Sequence, residues 1–156
     1  MYFFSMKKLK EHLIEKPMTD KETLPFLIGT LLLWELALLI PQNFDLLGIV
    51  TIAISLGSTI LGSIWLFRKN GGESGNQFLH RYFAIGWVAL IRFITVSFPI
   101  IVLAYAIGGY LKLIPVDTKS TSVFEVLMSA IISICFYLYS GKHIADVAKN
   151  AKNAKY

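Results

Sequence analysis

The sequence predicts an all-α, polytopic membrane protein: four transmembrane helices, with amphipathic and interfacial helices at the cytoplasmic face. Three observations carry this reading. Four apolar segments are separated by polar breaks, each long enough or nearly long enough to cross a bilayer. The composition, 55% hydrophobic and 16% charged over 156 residues, with a mean hydropathy of +0.61, is too apolar for an ordinary soluble domain. Lysines and arginines gather at the ends of the apolar segments, as orientation signals do. One integral membrane domain, 1–156, is the economical division. The net charge of +5 would suggest nucleic acid as the partner of a soluble protein. Here the placement of the basic residues assigns them to the membrane boundary, and no nucleic acid is expected.

The first element is an amphipathic segment, 1–19. Phe3, Met6, Leu9 and Leu13 share one helical face, with Lys7, Lys8, Lys10, Glu11 and Glu15 around the rest, which predicts a short helix lying on the membrane surface. Its charges follow its apolar patch and no small-residue cleavage site appears, so the first span is expected to be an uncleaved anchor. Lys16 and Pro17 end the pattern. Thr19 and Glu22 have capping-box spacing, and with Pro25 they place the next helix start near Asp20. Span 1 is expected over 24–40, closed by Pro41, and span 2 over 46–67, ending in Arg68 and Lys69.

The loop from Arg68 to Gln77 contains Gly71, Gly72 and Gly75 and reads as a flexible hinge, with Ser74 and Gln77 at capping-box spacing. The apolar run from Gln77 to Leu111 would reach about 52 Å as one helix, against a hydrocarbon core of about 30 Å. It is therefore expected to divide into an interfacial helix, 77–91, bent near Gly86 or after Arg92, and a span over 93–111 kinked at Pro99. The competing solution is one long tilted helix, with Arg92 buried and in need of a partner. Span 4 is expected over 122–139, with Ser122 and Glu125 at capping-box spacing, and 142–156 as a cytoplasmic helical tail. Thirteen of the fifteen Lys and Arg fall in the N-terminal segment, the Arg68 to Arg92 region and the tail. This predicts a multi-pass inner-membrane protein with both termini cytoplasmic. Trp65, Trp87, Tyr137 and Tyr139 would then mark the inner interface, and Tyr105 and Tyr110 the outer one.

Among candidate functional residues, Glu35 is the sharpest, because an ionisable group inside a span is costly. Glu125 is expected at similar depth, so the two carboxylates could bind a cation or share a proton; against this stand a capping role for Glu125 and a helix-packing role for Glu35. Arg81 and Arg92 are eleven residues apart and point within about 20° of each other on a helix. They are read as binding an anionic headgroup or a partner's carboxylate, or as interfacial anchors. Gly48, Thr51, Ser55, Ser58 and Gly62 form a stripe of small residues that lets another helix approach closely. His80 and His143 lie near one boundary without the further ligands a metal or haem site needs, and the lone Cys135 reads as a packing residue. Gly72-Glu73-Ser74-Gly75 lacks the spacing of a serine-nucleophile elbow. No cofactor or catalytic set is expected.

The leading expectation is thus a non-catalytic subunit or accessory factor of a membrane complex, whose partners are lipid and another membrane protein or a second copy. A small proton or cation channel using Glu35 is the alternative, and an immunity-type protein against a pore-forming toxin a weaker one.

Overall fold

The computed structural model describes residues 3–38, 45–113 and 120–153, with side chains described except at 34–38 and 152–153. Among these residues the fold is all-α: α1 (Met6–Glu15), α2 (Asp20–Leu38), α3 (Leu46–Lys69), α4 (Phe78–Tyr110) and α5 (Val123–Asn153), with a short 3-10 turn at Gly72–Ser74. Local chemistry sets most of the starts and stops. Ser5 caps α1, and Lys16, preceding Pro17, is driven into extended backbone (φ −144°, ψ 152°) that ends it. The Thr19–Glu22 capping box forms as expected: the Thr19 amide donates to Glu22 Oε2 (2.9 Å) and the Glu22 amide to Thr19 Oγ1 (3.3 Å). Ser122 and Glu125 build the same device before α5. The Ser74–Gln77 box does not form. Ser74 Oγ donates to the Gly71 carbonyl, while Gln77 takes a left-handed backbone (φ 54°) and turns its amide elsewhere.

Side-chain pairs give the helix directions. Asp45, at the start of α3, holds the Thr121 amide just before α5; further along, Gly62 faces Tyr137 and Trp65 faces Gly141, so α3 and α5 run the same way. Ser63 meets Tyr82 and Phe67 meets Phe78, which sets α4 opposite to α3. Phe93–Phe136 and Tyr105–Phe124 set it opposite to α5. On the far side of α4, Asp20 pairs with His80 and Gly29 lies against the Trp87 ring, so α2 climbs beside α4 in the same direction. A Cβ at Gly29 would stand 2.7–3.0 Å from three Trp87 ring atoms, which is why glycine is needed there.

Among the described residues three helices, α3, α4 and α5, are long and apolar enough to cross a membrane. The expected fourth crossing, 24–40, falls on α2 and runs beyond the described residues at its end, as do Pro41 and the loop residues 114–119.

The expected break between 77–91 and 93–111 is absent: α4 continues through Gly86 and Arg92 as one helix. What changes there is burial. Before Arg92, α4 buries Arg81, Ala84, Ile85, Trp87, Val88 and Ala89; beyond it Ile94, Val96, Phe98, Ile100, Val102, Leu103 and Ile107 are exposed. In α5 the order is reversed, with Val123, Leu127, Ile131, Ile134 and Leu138 exposed and Ser140, Gly141, Ile144, Val147 and Ala148 buried. The molecule thus has a packed head and an apolar half, and from Arg92 to Tyr110 that half is about 28 Å long, close to a hydrocarbon core.

The head explains a second correction. The face of α1 carrying Met6, Leu9 and Leu13 is covered by protein rather than left for a membrane surface, because α4 and the second half of α5 supply its apolar partners. Lys10 Nζ clamps this packing with a 2.8 Å ion pair to Asp146 on α5. Phe3 stacks on Phe26 (4.8 Å) and leans on Trp87 (5.2 Å), joining the N-terminal segment to α2 and α4. The tail expected over 142–156 is, up to Asn153, the end of α5, and Ile144, Val147 and Ala148 belong to the head core; its last residues, 154–156, lie outside the described set.

Candidate functional site

The head is closed by the segment between α3 and α4, and Asn70 organises it. Its carboxamide Nδ2 donates to the Asn76 carbonyl (3.2 Å) across the turn, and its Oδ1 accepts from Arg81 Nη1 (2.9 Å). A carbonyl on one side and a guanidinium on the other fix which way this amide points. The glycines expected to loosen the segment instead serve its geometry. Gly71 (φ +104°) and Gly72 (φ +58°) take left-handed backbone, and a Cβ at Gly75 would run into the Asn70 carbonyl oxygen. Gln77 completes the closure by pairing its side-chain amide with both backbone groups of Met18: Oε1 accepts from the Met18 amide (3.0 Å) and Nε2 donates to its carbonyl (3.1 Å).

Between this turn, the end of α1 and the end of α5 lies a cavity of about 360 Å³, on whose wall Arg81 stands. Arg81 is 6% exposed. Its Nη1 is held by Asn70, its Nε has no hydrogen-bond partner, and among the described residues it makes no ion pair. Asn70, itself buried, is the partner that sequence reading did not supply. The pair is eleven residues apart across a turn, and no periodicity joins them.

Arg92 is exposed at the junction of head and apolar half, so the two arginines read as one basic edge have different surroundings. Glu35 lies on α2 with its side chain outside the described residues. Glu125 Oε2 accepts from the Ser122 amide (2.7 Å) and hydroxyl (3.0 Å), so its carboxylate is engaged in the cap. His80 Nε2 meets Asp20 Oδ1 at 2.8 Å, whereas His143 stands edge-on to Tyr139 with both ring nitrogens buried and without partners. The two histidines do not converge, and no cluster of three potential metal ligands occurs among the described residues.

The small residues of α3 divide between inner and outer uses. Gly48 is buried and its amide donates to Asp45 Oδ1 (2.8 Å), and Gly62 is covered by the Tyr137 ring. Thr51 Oγ1 donates back to the Leu47 carbonyl (3.0 Å), Ser58 is half-buried and Ser55 is exposed. Ser58 and Gly62, with Leu61, Trp65, Ile134 and Tyr137, line an open groove of about 270 Å³ between α3 and α5. In comparisons with known proteins, no family model, curated protein or solved structure matches this chain.

Proposed function

We propose that this chain is a non-catalytic inner-membrane protein of four crossings, with its head and both termini in the cytoplasm, that acts by helix packing as a subunit or accessory factor of a membrane complex. Support for the fourth crossing comes from where α2 and α3 begin. Asp20 starts α2 in the head beside His80, whereas Asp45 starts α3 at the opposite end beside Thr121. The chain gets from one end to the other between them, and Leu24, Ile28, Leu31 and Leu32 stand exposed along that path. The orientation rests on Lys7, Lys8, Lys16, Lys21, Arg68, Lys69, Lys142 and Lys149 lying at the head end.

The observation that carries the packing role is the groove between α3 and α5. It is a concavity in a surface otherwise lined by branched apolar side chains, and the exposed Ser55 lies one turn from Ser58 on its wall. Small residues there admit the backbone of a neighbouring helix. Cross-linking in native membranes tests this: the wild type should yield one discrete larger species, and Ser55→Leu, at an exposed position of α3, should abolish it. A monomer with no captured neighbour, or capture undiminished by Ser55→Leu, contradicts the proposal.

A further inference from the structure

A guanidinium withdrawn from water without a counter-charge is expensive, and buried arginines are ordinarily paired with a carboxylate or an anion. Arg81 is buried, unpaired among the described residues, and forms part of the wall of an open cavity. We infer that this cavity is a binding site for a phosphate-type oxyanion, with Arg81 as its principal ligand.

Four features fit that chemistry. Asn70 engages the guanidinium through Nη1 alone, so the group keeps unused N–H donors of the kind that bind phosphate oxygens. Asn70 fixes the guanidinium by its Nη1 at 2.9 Å, so the group is held in place before any ligand arrives. Lys16 on the rim adds a second positive charge, which it shares with Glu22 Oε1 at 3.3 Å. The amino end of α4 borders the same space, and Gln77 there makes no capping hydrogen bond to the helix. One acidic side chain, the exposed Glu15, also lines the cavity, and it makes no ion pair with Arg81. The volume, about 360 Å³, lies within the range of small-molecule sites, about 300–1,000 Å³. The oxyanion can arrive as free phosphate or as the phosphomonoester headgroup of a lipid, since both present the same oxygens.

The test uses the full chain, purified in neutral detergent and titrated with inorganic phosphate at constant ionic strength, with chloride as the reference. In parallel the chain is placed in phosphatidylcholine nanodiscs with and without phosphatidic acid. Saturating phosphate should raise Tm by about 5 °C over chloride. A response to phosphatidic acid but not to phosphate assigns the site to a lipid headgroup, and a response to phosphate alone assigns it to a soluble ligand. Arg81→Gln should abolish either response. Asn76→Asp, which places a carboxylate from an exposed position on the cavity wall, should fold and bind about tenfold more weakly, whereas Arg92→Gln should bind like the wild type. Equal shifts in phosphate and chloride, no shift with either probe, or wild-type binding by Asn76→Asp would overturn the assignment.

Discussion

In α4, Val88 is wholly buried and Val102, on the same helix, is 52% exposed; in α5, Ile144 and Ile131 differ in the same way. The side chains are alike and the backbone is continuous, so neither composition nor helix propensity separates the two regions. What separates them is the covering. The head buries its apolar surface against α1 and its own helices, while the apolar half leaves branched side chains facing outward, which is stable where the surroundings are hydrocarbon. The polar groups follow the same division. Ion pairs join elements of the head, whereas in the exposed half of α4 Thr95 and Ser97 donate back to the Ile91 and Phe93 carbonyls of their own helix.

The largest expected effect that could break this comparison is a cavity in the head. Leu9→Ala removes a wholly buried side chain and should cost about 2–5 kcal/mol, whereas Ile100→Ala, on the exposed face of α4, should stay within about 0.5 kcal/mol. Reversible unfolding in mixed micelles measures both, and equal losses would dissolve the distinction between the two regions. Next comes close packing at glycine. Gly141→Ala drives a methyl into the Trp65 ring and Gly62→Ala one into the Tyr137 ring, and each should cost about 1–3 kcal/mol. Gly57, whose Cβ would meet nothing within 4 Å, should instead gain about 0.5–1 kcal/mol as alanine.

A smaller effect appears with acid. The Thr19 backbone amide, helped by the Thr19 hydroxyl and Lys16, holds the Glu22 carboxyl at about 2, against an ordinary value of 4.5. A depressed carboxylate stabilises above its unfolded pKa, so this contribution is intact above pH 4.5 and is lost as pH falls towards 2. Asp45 acts in the same sense, lowered chiefly by the Thr121 amide. Tm measured against pH should therefore fall less steeply over that window in Glu22→Gln than in the wild type, and a parallel profile would remove Glu22 from the account. The smallest effect belongs to Lys10 and Asp146. This pair is partly exposed, and a double-mutant cycle should give a coupling of about 0.2–1 kcal/mol.

Much of this architecture was legible in the sequence because it is local. Thr19 with Glu22 and Ser122 with Glu125 are capping boxes by spacing, and they form. The apolar face of α1 was legible too, but not what covers it, since the covering comes from Ile144 and Val147, more than a hundred residues away. The same limit hid the continuity of α4. A length of about 50 Å looks too long for one membrane helix until α1 and α5 are seen to build a head that takes up the excess. The partner of Arg81 was likewise out of reach, because Asn70 meets it only after the turn at Gly71 and Gly72 has closed.

The division at Arg92 is tested most directly by accessibility along α4 in a lipid bilayer. Single cysteines in a Cys135→Ser background, spin-labelled at positions from Leu79 to Ile107, would be read by collision with oxygen and with a water-soluble nickel complex. Labels at Ile94, Phe98, Ile100 and Leu103 should respond to oxygen, Leu79 to nickel, and Ala84 and Val88 to neither. Oxygen access at Leu79 equal to that at Ile100, or nickel access at Ile100 equal to that at Leu79, would contradict a protein-packed head joined to a lipid-facing half.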